Sequence, residues 1–432
     1  MKVSIYTSIL HISNRHTLLF NAFTQKFVIV RNKVIDLSNN NILSLSAEFP
    51  DLYQQLTDAE IIVDESLDEV LRLRKLIEDS DNNASEYILH INPTLDCNFN
   101  CWYCYENHIP HSRMDTKVLN GTLRYIDSVL QNPEIKTFEL GFFGGEPLFH
   151  FNRIAKTVIS HVADICTKNQ VYLHVHFTSN GALLTDEIIA FLSQFNCGFQ
   201  ITLDGGKDEH DRTRYNKSGN GSYDIIVNNI IKLSLAKIDT IVRVNYTSTN
   251  IDSVWSILDS FSDIPSINRK YIKFDFQRVW QDRSYSNDET EHKIRDIRQK
   301  FQRAGYIVLA NYIPHDVTDS CYGDKINHIL INYNGDVFGC TARDFTIENR
   351  IGQLDSKGVI HFNNELVDKR NNLKLSKSVC QNCRIAPLCG GGCKQRAIED
   401  NYDDRCTMEY SESDMDRIIL DIFKHSFNLK DS

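Results

Sequence analysis

Cys97-Asn98-Phe99-Asn100-Cys101-Trp102-Tyr103-Cys104 puts three cysteines on one short loop, just after a strand pattern at residues 88–91. Three thiolates on a tight loop can hold three irons of a 4Fe–4S cluster. No fourth cysteine is near, so one iron stays open to an outside ligand. Zinc in a structural site normally takes four protein ligands, so three at CxxxCxxC spacing fit it poorly. Working outward, strand patterns recur at 138–143, 172–177, 199–203, 240–246 and 271–276. Helical patterns lie between and after them, at 117–130, 154–165, 223–233 and 288–301. Six βα units in a row predict an α/β fold on a parallel sheet, barrel-like or doubly wound. In either case the chemistry belongs where loops leave the carboxyl ends of the strands.

The flanks read differently, and they divide the chain into 1–86, 87–309 and 310–432. Residues 1–86 suggest a small α+β domain, with strands at 9–12, 18–20 and 27–30 and helices at 50–57 and 66–78. Ser66 and Glu69 fit a capping box, with Leu67, Val70 and Leu71 on one helix face. The polar stretch 79–85 reads as a linker. Beyond about residue 310 glycine and cysteine become frequent and regular elements few, up to a helix at 414–423. A segment with so little core of its own needs metal staples.

A net charge of −10 without any Lys/Arg-rich tract argues against nucleic acid as a partner. No apolar run approaches a membrane span, and the first ten residues lack a signal-type core, so a cytoplasmic location without membrane attachment is expected. Disulfides are disfavoured there, and twelve cysteines then point to metal or redox chemistry. Ten fall into motif spacing. Cys166 and Cys197 stand alone in apolar surroundings and read as inert packed thiols.

The CxxxCxxC loop, with Tyr103 before its last cysteine and a strand in front of it, resembles the signature of the radical S-adenosylmethionine (SAM) superfamily. The resemblance implies a partial, TIM-like (β/α)6 barrel. It also implies that the open iron chelates the amino and carboxylate groups of SAM, whose reductive cleavage gives a 5′-deoxyadenosyl radical. Gly144-Gly145-Glu146-Pro147 after the second strand resembles the family's GGE motif, which holds the SAM amino group; the two glycines permit close backbone approach. Thr178-Ser179-Asn180-Gly181 after the third strand resembles a ribose contact. Asp204 ends the fourth strand, with His210, Asp211 and Arg214 just beyond. On the fifth, beside Asn245, Arg243 could pair with the SAM carboxylate or make a structural ion pair. The expected SAM contacts are therefore Tyr103, Gly144, Gly145, Glu146, Ser179, Asn180, Asp204 and Arg243. No catalytic acid or base is singled out, because radical abstraction needs none.

Seven later cysteines are spaced Cys321-x18-Cys340, then Cys380-x2-Cys383-x5-Cys389-x3-Cys393, then Cys406. Alone, the CxxC pairs would also suit a zinc ribbon. The full layout resembles the SPASM domain, which carries two auxiliary 4Fe–4S clusters in radical SAM enzymes that modify peptides and proteins. The resemblance implies one cluster on Cys380, Cys383, Cys389 and Cys406 and another on Cys321, Cys340 and Cys393. The second set is one ligand short, and His315 stands where some relatives have a further cysteine. Either His315 is a ligand, or it is a loop histidine and one iron is open.

Two auxiliary clusters favour net oxidation, since each can accept the electron a substrate radical must lose to close a new bond. In length and element order the N-terminal segment resembles winged-helix-like leader-peptide-binding domains, which would bind by strand addition. A maturase of a ribosomally made precursor peptide, installing a C–C or thioether cross-link, is the first expectation, with a flavodoxin or ferredoxin as electron donor. An anaerobic sulfatase maturase is the alternative; there an aspartate follows the cysteine at the Cys340 position, whereas here Thr341 does and Asp344 lies further on. A peptide epimerase would need a hydrogen donor; Cys197 or Cys166 could serve, but nothing singles them out. A non-catalytic iron–sulfur carrier would not need the glycine and Ser179–Asn180 turns at strand ends.

Overall fold

The computed structural model describes residues 1–32, 42–279, 281–282, 288–309, 317–400 and 404–427. It divides into two compact units, each assembled from non-consecutive segments. One comprises Met1–Asn83, Tyr312–Ile326 and Glu365–Ser432; the other comprises Ala84–Asn311 and Asn327–Asn364.

In the first unit, β1 (Lys2–Val3) is followed by the antiparallel meander of β2 (Thr7–His11), β3 (His16–Asn21) and β4 (Lys26–Arg31). β5 (Ile62–Val63) pairs back onto β1. Central β3 is buried along nearly its whole length, whereas β2 and β4 alternate buried and exposed residues. Helices Pro50–Asp58 and Glu69–Asp81 follow. The capping-box reading is corrected here. The helix starts at Glu69, capped by Asp68, whose side chain accepts from the Leu71 N–H. Ser66 bonds to Asp64 instead. Glu69 is 5% exposed and takes bonds from the Ser4 hydroxyl and the Ile5 N–H, so its carboxylate ties down the chain start.

The linker reading of 79–85 also changes. The helix runs to Asp81, which is buried and joined by Lys374 at 3.1 Å and Lys394 at 3.6 Å. Lys374 also meets Asp324 at 3.1 Å. Opposite charges brought inside together offset each other's desolvation, which none could bear alone. The apolar core is shared in the same way. Phe20, Leu73 and Ile77 pack in one cluster with Leu375, Cys380, Ile385, Leu388 and Ile419. The cysteine-rich segment thus finds its core among N-terminal residues.

The second unit holds all six expected strands: β6 (Glu86–Ile91), β7 (Thr137–Phe142), β8 (Tyr172–Ser179), β9 (Cys197–Leu203), β10 (Asp239–Tyr246) and β11 (Ile272–Arg278). They pair in parallel in chain order, and β12 (Ile307–Val308) adds to β11. β13 (His328–Ile331) joins the free side of β6 in parallel, and β14 (Asp336–Phe338), β15 (Arg350–Leu354) and β16 (Ile360–Phe362) continue antiparallel. Part of the segment expected to be irregular therefore extends the main sheet. One face carries a cross-strand row of buried rings, with Phe142–Phe177 centroids at 4.8 Å and Phe177–Phe199 at 5.1 Å. The alternate residues, among them Thr178, Gln200, Thr202, Arg243 and Asn245, line a cavity at the carboxyl ends of the strands.

Candidate active site

The cysteine loop leaves β6 and is laced to its surroundings by polar bonds. Thr94 Oγ1 donates to the Ser112 carbonyl at 2.6 Å, and Ser112 Oγ accepts from the Leu95 N–H. Asp96 accepts from the His111 N–H at 2.9 Å and from Lys217 at 2.8 Å. Burial pushes the Cys97 thiol up to about 12, with Glu146 adding to the effect. The free thiol is therefore protonated, and cations must be present for the thiolate to form.

The glycine turn after β7 packs directly on this loop. Gly144 has φ +103°, and a Cβ there would run into the Thr94 carbonyl; one on Gly145 would run into the Asp96 carbonyl. The Gly145 and Glu146 N–H groups donate to those same two carbonyls at 3.1 and 2.9 Å. Glu146 is wholly buried and does not line the cavity. Its carboxylate accepts from Ser179 Oγ at 2.8 Å, the Asn180 N–H at 2.8 Å and the Leu148 N–H at 3.0 Å. Glu146 thereby fixes the turn after β8, whose Asn180 side chain reaches Asn98 at 2.7 Å and the Cys97 sulfur at 3.8 Å.

Tyr103 is the hub on the other side. Its hydroxyl donates to Asp204 at 2.5 Å and accepts from Arg214 at 2.6 Å and Asn245 at 3.3 Å. Burial raises the Asp204 carboxyl, and Arg214 and Tyr103 oppose the rise. The buried Asp204 Oδ1 and Arg214 Nε have no hydrogen-bond partner among the described residues. Of the two residues only Arg214 lines the cavity, where its orphaned Nε is ready to meet a polar ligand. Arg243 bonds Asn245 at 3.0 Å and lines the cavity, as do Gly144, Gly145, Ser179 and Asn180. Of the eight expected contacts, Glu146 and Asp204 thus stand behind the wall and the other six on it.

The cavity measures about 280 Å³, and Cys97, Cys101 and Cys104 all face it. Among the described residues no three or more His, Cys, Asp or Glu side chains converge on one metal-ion position. All three thiols of the loop line this one space, as shared ligation of one cluster requires. Sequence reading missed Glu106, which lines the same wall at 8% exposure. Burial, with Asp344 second, pushes its carboxyl up to about 8. It also missed Gln200, Thr202 and Arg278; their period-two spacing along β9, and the polar end of β11, were the available signals.

A recurrent turn marks the cysteines of both units. The N–H two residues on donates to the sulfur at Cys97 (from Phe99) and Cys340 (from Ala342), at 3.4 and 3.3 Å. The same relation holds from Glu106 to Cys104, Ile385 to Cys383 and Gly391 to Cys389. N–H donors aimed at sulfur suit thiolates that bind iron, and they tune cluster potentials. Cys166 and Cys197 lack this donor among the described bonds and are shifted upward by burial alone. In the first unit burial raises the Cys389 thiol, and Cys380, Cys383 and Cys406 are near enough to add to the rise. Cys321 and Cys393 belong to that unit and Cys340 to the other; His315 lies outside the described residues.

The three-cysteine loop and the glycine turn thus sit together at the strand ends of an open α/β sheet. Residues 91–261 match the radical SAM superfamily, so the chain carries a radical SAM domain. Membership implies SAM and one 4Fe–4S cluster. Among curated relatives, the radical SAM cyclopropyl synthase TigE of Paramaledivibacter caminithermalis is 24% identical over 75% of this chain and 71% of its own. The cysteine-type anaerobic sulfatase-maturating enzyme of Clostridium novyi is 25% identical over 71% of this chain and 87% of its own. Among solved structures, anSMEcpe with bound AdoMet superposes with a TM-score of 0.58 at 16% identity, over 79% of this chain and 100% of that one. Streptococcus suis SuiB bound to its precursor peptide SuiA gives 0.51 at 14% identity, over 92% and 96%. At these identities the structural likeness establishes the fold.

Proposed function

We propose that the chain is a peptide maturase that abstracts hydrogen from a ribosomally made precursor and closes a C–C or C–S cross-link. The observation that carries the reading is the set of three thiols of one loop around one cavity, with a second group of four thiols in a separate unit. Cys97, Cys101 and Cys104 hold the SAM-binding cluster. Cys380, Cys383, Cys389 and Cys406 hold one auxiliary cluster, and Cys321, Cys340 and Cys393 contribute to another. When bound, the first cluster and SAM supply the 5′-deoxyadenosyl radical.

The chain's own residues bind and orient. Gly144 and Gly145 keep the wall thin beside the cysteine loop, Ser179 and Asn180 offer polar contacts, and Arg243 presents a cation for a carboxylate. Asp204 and Glu146 act from behind, holding Tyr103 and the Ser179–Asn180 turn in place. Peptide substrates are in keeping with the relatives, since SuiB is solved with a precursor peptide. The β2–β3–β4 meander leaves β2 and β4 as edges where a leader strand can add. Among the described residues no helix is long and apolar enough to cross a membrane, in keeping with action on a cytoplasmic peptide.

Formylglycine formation is the second reading, favoured by the similarity to a sulfatase maturase over 87% of its length. Thr341 is buried at the position after Cys340, while Asp344 lies close enough to Glu106 to raise its carboxyl. Mass spectrometry of candidate precursor peptides and of a sulfatase-motif peptide, each co-expressed anaerobically with the chain, separates the readings. A loss of two hydrogen masses per site that disappears with Cys97→Ala supports cross-linking. Conversion of a sulfatase-type cysteine or serine to an aldehyde would replace it with the second reading. An unchanged mass with deuterium taken up from heavy water would mean epimerisation.

A further inference from the structure

Two neighbouring carboxyls each keep a buried oxygen without a partner. Glu106 lines the cavity and is more than nine-tenths buried, at 8% exposure. Its Oε1 has no hydrogen-bond partner among the described residues, and neither has Asp344 Oδ1. Both residues belong to the second unit, and Asp344 is near enough to disturb the Glu106 carboxyl. Arg214, Arg243 and Arg278 line the same cavity. Among the described residues, however, the charge that acts on Glu106 is that of Asp344, and none of these arginines offsets it. Arg343, beside Asp344 in the chain, donates to the Ala342 carbonyl at 2.7 Å. Ala342 follows Cys340 by two residues as Glu106 follows Cys104, and both line the cavity. The acidic part of the wall is therefore shared between the loops of two cysteines.

We infer that Glu106, backed by Asp344, is a substrate subsite that selects a peptide bearing a lysine or arginine side chain. The inference rests on the reading that a peptide enters this cavity, and it names the kind of residue that does. A buried carboxylate is costly alone and is stabilised by a cation that also donates hydrogen bonds to it. An ammonium carries three donors and a guanidinium five, enough to meet the free oxygens of both carboxyls. A neutral donor satisfies one oxygen but offsets no charge. The arginines of the wall suit the opposite sign, since a guanidinium pairs with carboxylates. The cavity thus offers anion contacts at its arginines and a cation contact at Glu106, and this pattern orients a peptide with a basic side chain. Discrimination against an apolar side chain of the same length follows, because that side chain would leave both carboxyls unpaired.

The test uses the anaerobically reconstituted full-length chain with SAM and three capped peptides, Gly-Gly-X-Gly-Gly, in which X is lysine, arginine or norleucine. Their Kd values are measured by calorimetry on wild type, Glu106→Gln, Glu106→Asp and Asp344→Asn. Wild type should bind at least one cationic peptide about tenfold or more tighter than the norleucine peptide, and the lysine and arginine arms show which cation it prefers. Glu106→Gln should bring that ratio close to one, Glu106→Asp should recover part of it, and Asp344→Asn should lower it. The ratio is taken within each variant, so a loss of iron or of fold, which weakens all three peptides alike, does not imitate the effect. Equal Kd values in wild type overturn the inference, as does a lack of binding by both cationic peptides. A cationic preference that survives in Glu106→Gln overturns it too. Should Glu106→Gln bind none of the three, an undiminished ratio in Asp344→Asn overturns it. If the preference is absent while a precursor still loses two hydrogen masses, the subsite falls and the maturase reading stands. If the preference depends on Glu106 while no peptide is modified, the subsite stands and the maturase reading falls.

Discussion

The two groups of cysteines sit on different kinds of scaffold. Cys97, Cys101 and Cys104 hang from a loop braced by a six-strand parallel array, with glycines, Glu146 and Tyr103 holding its shape from both sides. Cys380, Cys383, Cys389 and Cys406 sit among short helices whose apolar residues complete a core with Phe20, Leu73 and Ile77. The difference separates chemistry from folding. A loop on a finished sheet can keep its shape without metal, whereas the four-residue helices Ser378–Gln381 and Ala386–Cys389 are too short to stand alone and lean on that shared core and, in the proposed reading, on iron.

The largest expected contrast is between Cys97→Ala and Cys389→Ala. The first should abolish 5′-deoxyadenosine formation with dithionite and move the Tm of the reconstituted protein by less than about 2 °C, since one thiol leaves a braced loop. The second should keep SAM cleavage while lowering the Tm by at least about 5 °C. Equal effects on both would erase the distinction between the groups. Iron chelation sharpens it region by region. Amide exchange protection should be lost in the helices of Glu365–Ser432 and then in β2–β4, while β6–β11 stay protected. Next comes Phe20→Ala, expected to cost about 3–5 kcal/mol as a core truncation, and to reduce iron retained on the Cys380 group while sparing the Cys97 group.

Glu106 gives a pH-dependent test on the braced side. Its folded carboxyl titrates near 8, above the ordinary carboxylate range, because burial disfavours its charge. In the cluster-free protein the cost is absent at low pH, grows as the unfolded carboxyl ionises above about pH 4.5, and levels off beyond pH 8. Glu106→Gln should therefore be near neutral at pH 5 and stabilising by about 2–4 kcal/mol at pH 8, read from urea midpoints. A gain that shrinks with rising pH would refute the assignment. The smallest effect is expected from Gly144→Ala, a loss of about 1–3 kcal/mol from the left-handed backbone and the crowded Thr94 carbonyl, with weaker SAM binding.

Much of the second unit was legible in the sequence, because each strand is a short apolar run and each turn after it carries glycine, asparagine or aspartate. The strand ends at Ile91, Phe142, Ser179, Leu203, Tyr246 and Arg278 fall close to where periodicity puts them. What periodicity could not show was partnership. Glu146 reads as a ligand contact in its motif; two of its three acceptor bonds come from the Ser179–Asn180 turn and the third from the Leu148 N–H. Asp81 looks like linker polarity until Lys374 and Lys394, some three hundred residues on, close around it. Ser66 satisfies the capping pattern as well as Asp68 does, and only the helix start decides between them. The strands β13–β16 hid among glycines and cysteines because each is three to five residues long and finds its pairing on a sheet already formed.

One measurement tests the central claim most directly: iron content and 5′-deoxyadenosine formation, measured side by side for the anaerobically reconstituted wild type and a Cys97→Ala/Cys101→Ala/Cys104→Ala variant. Three clusters of four irons predict roughly twelve irons in wild type and about eight in the variant, with SAM cleavage in the first and none in the second. A variant that still cleaves SAM, or that loses all of its iron together with the Cys380 group, would contradict the division of labour between the two units.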